Sequence, residues 1–86
     1  MIYELPCCGR EKSFYGKATV HEYGNVKELV SYTTTVCQID GNGEFHRLWG
    51  GYSATTMRHI NSFRLVNGMK AISKSEWEEM EVEDNV

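Results

Sequence analysis

The spacing of apolar residues changes once along this chain of 86 residues, at Gly50-Gly51. Before that pair, apolar and polar side chains alternate. After it, apolar side chains recur every three to four residues. Alternation puts successive side chains on opposite faces of a strand, whereas the longer period builds a stripe along one face of a helix. A chain that changes period once segregates its sheet from its helices, so the expected class is α+β. Its length allows one domain, residues 1–86, because a single core takes roughly 50–200 residues.

Ahead of the glycine pair the expectation is a three-stranded antiparallel meander, with a fourth strand if Ile2 to Leu5 joins it. Residues 1–13 are then an N-terminal arm or that extra strand, with a turn at Pro6-Cys7-Cys8-Gly9. Residues 14–23 alternate: Phe14, Ala18 and Val20 point one way, and Tyr15, Lys17, Thr19, His21 and Tyr23 the other. Gly24-Asn25 is a turn signal. Residues 29–39 (LVSYTTTVCQI) are the most β-prone stretch and read as one strand in which a bulge is allowed. Asp40-Gly41-Asn42-Gly43 is the clearest hairpin turn, and residues 44–49 follow as the next strand, carrying Phe45 and Trp49 on one face.

Past the glycine pair, Ser53 or Thr55 can cap a main helix that runs to Asn67 and stops at Gly68. Met57, Ile60 and Phe63 form a narrow apolar stripe for the sheet. Thr55, Arg58, His59 and Ser62 fall on the opposite flank, which is expected to face water or a partner. Ser75 and Glu78 have capping-box spacing, so a short acidic C-terminal helix is expected over residues 75–83, anchored by Trp77 and Met80.

Charge is unevenly distributed. The net charge of −3 combines −6 over residues 75–86, which hold six acids and no base, with +3 over residues 1–74, which hold nine bases and six acids. The acidic end is either a solvated helix or the surface that meets a basic partner. Glu76, Glu79 and Glu83 share one side of a helix and could imitate a row of phosphates. No run approaches the roughly 20 apolar residues of a membrane span, and the first residues lack the pattern of a signal peptide. The expectation is a soluble, cytoplasmic chain with no membrane association. An exposed edge strand in so small a sheet also admits a homodimer.

Three constellations bear on chemistry. Cys7, Cys8 and a histidine could bind zinc or supply a thiol nucleophile with His59, yet Cys7-Cys8 lack the spacer of paired zinc ligands and no catalytic signature surrounds them. No phosphate-binding loop is present. Arg58, His59 and Arg64, with Arg47 and Lys70 nearby in sequence and Tyr15, Tyr23, Tyr32, Phe45 and Trp49 as stacking surfaces, outline a small nucleic-acid-binding module. An isoelectric point near 5.5 argues against it. The helix entry at Gly50-Gly51-Tyr52-Ser53 can hold an anion and is equally an ordinary capped start. The expectation is a non-enzyme without cofactor or metal, and its partner-binding candidates are Arg58, His59, Ser62, Tyr15, Tyr23, Glu76, Glu79 and Glu83.

The stretch Tyr52-Ser53-Ala54-Thr55-Thr56-Met57-Arg58-His59-Ile60-Asn61-Ser62-Phe63, preceded by Ser31-Tyr32-Thr33-Thr34-Thr35-Val36, resembles short uncharacterised proteins of bacteriophages and prophages. In those, a strand reading S-Y-x-T-x-V precedes a helix reading Y-S-x-T-T-x-x-H-I-N-x-F. The likeness spans residues 28–80. It implies a phage or mobile-element origin, and with it a bacterial host cell as the setting. Small phage proteins commonly occupy a host protein. The expected function is therefore a phage accessory protein that binds and modulates a host protein, with an anti-defence (anti-CRISPR-type) inhibitor acting on a nucleic-acid-handling complex as one form of it.

Overall fold

A computed structural model describes residues 1–6 and 16–83. The class is α+β: a five-stranded antiparallel sheet with two helices. The strands β1 (Ile2–Glu4), β2 (Ala18–Tyr23), β3 (Val26–Ser31), β4 (Thr34–Ile39) and β5 (Phe45–Arg47) are neighbours in chain order, so the sheet is a plain meander. The helices are α1 (Ala54–Val66) and α2 (Lys74–Glu79). None of the described helices is long and apolar enough to cross a membrane.

The sheet holds more strands than the sequence led us to expect, because residues 29–39 are two strands and not one. Ser31 pairs with Thr34, leaving Tyr32-Thr33 as a two-residue hairpin loop. The β2–β3 loop, Gly24-Asn25, has the same length and puts Gly24 at φ 57°. At the β3–β4 loop that left-handed position is taken by Tyr32, at φ 56°. A non-glycine residue there costs about 1–2 kcal/mol. The Tyr32 amide donates to Lys17 O (2.6 Å), and its ring lies 5.9 Å from that of His59, which helps hold the turn. The anticipated bulge is present where the β3–β4 register shifts between Leu29 and Val30. The Asp40 turn stands where expected; the strand before it begins only at Thr34, and the strand after it, Phe45–Arg47, is shorter than the anticipated 44–49 and leaves Trp49 outside.

The core joins Ala18, Val20, Leu29, Cys37 and Ile39 of the sheet to Met57, Ile60 and Phe63 of α1, with Leu5 and Trp77 closing its ends. Helix α1 starts at its Ser53 cap, whose Oγ accepts from Thr56 N. It stops in a Schellman closure, with Gly68 N donating to Leu65 O and Met69 N to Arg64 O. Both ends lie where the sequence placed them. Asn61 ties α1 to the following segment through paired bonds with the Ile72 backbone, 3.0 and 2.8 Å long.

Helix α2 is shifted from expectation. Its capping box joins Ser73 to Glu76, not Ser75 to Glu78, and the helix ends at Glu79. Glu83 therefore lies beyond the helix and shares no helical face with Glu76 and Glu79. Residues past Met80 instead turn back along β5, where Val82 forms a parallel bridge with Arg47.

Candidate functional site

The polar flank expected on α1 is divided by the fold. Arg58 is exposed, but His59 and Ser62 are buried, 1% and 5% accessible. His59 Nδ1 lies 2.8 Å from Ser31 Oγ, which in turn lies 3.1 Å from Thr56 Oγ1. This chain of polar groups pins α1 to β3 at its bulged end. A helix lying flat on a sheet with a narrow apolar stripe must bury the residues beside that stripe, and His59 and Ser62 flank Ile60 and Phe63 directly. His59 and Ser62 are therefore corrected from contact surface to interior. Replacing His59 with alanine is expected to lower unfolding free energy by about 2–3 kcal/mol, from the lost packing and the lost bond to Ser31, whose hydroxyl keeps only Thr56. Glu79→Ala on the exposed side of α2 should stay within about 0.5 kcal/mol. Urea titrations followed by circular dichroism check both.

The remaining candidates are dispersed. Tyr23 is 52% exposed, and its hydroxyl bonds to Glu28, which pushes its pKa up. Glu76 and Glu79 are exposed on α2, Glu76 being part of the cap. Tyr15 lies outside the described residues, as do Cys7 and Cys8. Cys37 is buried, and burial raises its thiol pKa well above the ordinary range, so it packs as a small apolar residue. The basic row of the nucleic-acid reading is broken up. Arg64 lays its guanidinium over the Phe45 ring, 4.5 Å from the centroid, and donates to Lys70 O. Phe45 and Trp49 pack against the core. The capped first turn of α1 already uses its Ser53 oxygen on Thr56 N, the ordinary arrangement.

Two neighbours on β5, Arg47 and His46, organise the opposite end of the molecule. Arg47 is 6% accessible, and its guanidinium faces backbone carbonyls. Nε donates to Trp49 O (2.9 Å) and Nη1 to Trp77 O (3.0 Å) and Met80 O (3.1 Å), at the C-terminal end of α2. The guanidinium also sits 4.6 Å from the Trp77 ring centroid. Partial negative charge at a helix C-terminus suits a cation, which explains how β5 tolerates a buried arginine. Trp77 Nε1 donates to Gly51 O (2.9 Å), and a Cβ at Gly51 would collide with the Trp49 ring. The glycine in the break between sheet and helix is thus a requirement of close packing.

His46, next along β5, is held on both ring nitrogens. Nε2 lies 2.7 Å from Asp40 Oδ2 and Nδ1 2.7 Å from Glu83 Oε2. Asp40 Oδ1 accepts from the amides of Asn42 and Glu44. The Asp40 hydrogen bond, then that of Glu83, raises the His46 pKa above 6.5, while the His46 bond foremost lowers that of Asp40 below 3.8. In its protonated form the ring donates from both nitrogens and bridges two carboxylates. A general base needs one nitrogen on its substrate; here both are occupied. Asp40, Glu44 and His46 offer donor atoms within 4.8 Å of one another and are the described residues that could hold a metal ion.

Beside this clasp runs an open groove of about 720 Å³, between β5, the end of α1 and residues 80–83. Phe45 and Met80 supply its apolar part, Glu44, Glu81 and Glu83 its carboxylates, and Arg64 one wall. Of the expected contact residues only Glu83 lines it. Sequence reasoning passed over the groove because its parts come from three separate segments. The model of a family described as "Family of unknown function (DUF8033)" matches residues 3–79. No curated protein and no solved structure matches the chain.

Proposed function

The chain belongs to DUF8033, a family of unknown function, and from that premise we propose that it is a non-enzymatic binding protein whose groove beside β5 takes a basic segment of a protein partner. The observation that carries this reading is the makeup of the groove: an apolar strip, Phe45 and Met80, bordered by Glu44, Glu81 and Glu83. An aliphatic side chain tipped with a positive charge, lysine or arginine, fits such a surface, its stem on the apolar strip and its head at the carboxylates. The exposed acids of α2 extend the same sign of charge outward and favour the approach of a basic partner. His59 with Ser31 and His46 with two carboxylates are both engaged structurally, which fits binding rather than turnover.

In its fuller form, the reading is a phage or prophage accessory protein that modulates a host protein, with an anti-defence inhibitor of a nucleic-acid-handling complex as its most specific version. Proteins that handle nucleic acid carry the basic surfaces an acidic groove would occupy. The motif of α1 and that of residues 31–36, which form the β3–β4 turn, support the phage origin.

Affinity purification from bacterial lysate tests this. The native chain is expected to enrich a basic protein, with capture falling as salt rises. Glu44→Lys with Glu81→Lys, both exposed, should keep the fold by circular dichroism and weaken capture at least about tenfold. Capture unaffected by the double reversal sinks the groove as the binding surface.

A further inference from the structure

We propose that Asp40, Glu44 and His46 form a binding site for one divalent transition-metal ion, with Glu83 orienting the histidine. The three residues lie close together in sequence, and the last hairpin brings their side chains to one place: Asp40 and Glu44 close the turn, and His46 follows on β5. One donor atom from each lies within 4.8 Å of the other two. The frame that carries them is fixed. Asp40 N donates to Glu44 O and Gly43 N to Asp40 O, both at 3.0 Å. The Asp40 side chain is fixed as well. Its Oδ1 accepts from the amides of Asn42 and Glu44, which leaves Oδ2 turned to the His46 ring.

An imidazole, and the way it is held, separates this group from a patch of surface acids. Glu83 comes from a distant segment and lies 2.7 Å from His46 Nδ1. In the neutral ring that nitrogen keeps its N–H on Glu83, and Nε2 presents its lone pair toward Asp40. Metal-ligating histidines are held in this way: the second nitrogen donates to a carboxylate, which fixes the tautomer and the plane of the ring. Zinc bonds imidazole nitrogen and carboxylate oxygen at about 2.0–2.2 Å, so neighbouring donors on one ion stand about 3 Å apart or a little more. His46 Nε2 and Asp40 Oδ2 are 2.7 Å apart. An ion takes the place of the proton between them after a shift of less than an ångström, and rotation of the exposed Glu44 side chain brings in the third donor. His46 and Asp40 are both partly exposed, which gives the ion a route in and leaves room for water in its remaining positions. One imidazole with two carboxylates suits zinc or manganese, whereas calcium and magnesium take oxygen donors. The site borders the groove, yet it belongs to the free chain and does not depend on whether the groove takes a partner.

Titrating the full chain with manganese and with zinc, in the absence of any partner, tests this separately from capture out of lysate. Manganese comes first, because it prefers carboxylate donors to the thiols of Cys7 and Cys8. In nuclear magnetic resonance spectra, substoichiometric manganese should broaden the signals of Asp40, Glu44 and His46 most, and those of the acids on α2 far less. Zinc is then titrated by calorimetry into the full chain carrying Cys7→Ser and Cys8→Ser. One equivalent should bind, more tightly than manganese, and excess calcium or magnesium should not displace it. Glu83→Ala should weaken zinc about 10–100-fold with the circular dichroism spectrum unchanged, the loss expected of a group that orients a ligand. His46→Gln should weaken it at least as much, and if that variant does not fold, Glu83→Ala still decides. The absence of saturable zinc binding overturns the proposal. So do broadening centred on α2, displacement of zinc by calcium or magnesium, and an affinity that Glu83→Ala leaves unchanged.

Discussion

Arg47→Met is expected to lower unfolding free energy by about 3 kcal/mol or more, the largest loss of any charged residue described here. Methionine fills much of the same volume, so the penalty is polar rather than a cavity. The guanidinium serves Trp49 O, Trp77 O and Met80 O, and it is 6% accessible. Without it Trp49 O and Met80 O lose this donor in a site that water reaches poorly, while Trp77 O keeps the Met80 amide, and each stranded buried group costs about 1–3 kcal/mol. Arg47→Lys should recover only part of the loss, because an ammonium has no planar fork to span carbonyls from two segments. A domain of this size has about 4–13 kcal/mol of total stability. The variant should therefore melt many degrees below the native chain, measured by circular dichroism with urea midpoints as the check. An unchanged midpoint would mean the guanidinium is not the tie between β5 and α2.

Trp77→Ala should cost about 3–5 kcal/mol. The ring is fully buried at the end of the core, donates to Gly51 O and lies under the Arg47 guanidinium. Its removal leaves a cavity that Met80 and Ile72 are placed to fill only in part. Trp77→Phe should recover most of the packing and none of the bond to Gly51. Arg47 and Trp77 touch directly, through the ring and through Trp77 O, so their losses should not add. The double variant Arg47→Met, Trp77→Ala is expected to fall short of the sum by at least about 0.5 kcal/mol. Strict additivity would separate the two residues that the structure places together.

Much of the fold was legible in the sequence where local signals agree. Ser53, Asn67 and Gly68 bound α1 as caps do, Met57, Ile60 and Phe63 face the core, and the Asp40 turn begins the last hairpin. The turn at Tyr32-Thr33 was not legible. A two-residue loop normally carries glycine, asparagine or aspartate at its left-handed position, and this one carries a tyrosine inside an unbroken β-prone run. The second cap moved from Ser75 to Ser73 because the sequence offers two serines with glutamate three residues on, Ser73 with Glu76 and Ser75 with Glu78. Local spacing cannot rank them; the docking of Trp77 can.

The candidate site was less legible. His59 and Ser62 looked solvent-facing on a helical wheel, since a wheel shows direction but not the width of the surface the helix lies on. Arg47 was read only as one of a basic set and His46 only as a scattered histidine, because a lone basic residue in a short strand looks like any exposed charge.

Residue order alone determined the class, the change from sheet to helix at Gly50-Gly51, the limits of α1 and the acidic character of the C-terminal quarter. These depend on backbone preference and on periodicity, both set by neighbours within a few positions. Only the tertiary structure decided that Arg47 would cap α2 from another element, that His46 would join Asp40 to Glu83, and that half of α1's polar flank would be interior. Those arrangements join groups up to 37 residues apart, and their energy depends on distance and exclusion of water, quantities that exist only once the chain has closed on itself.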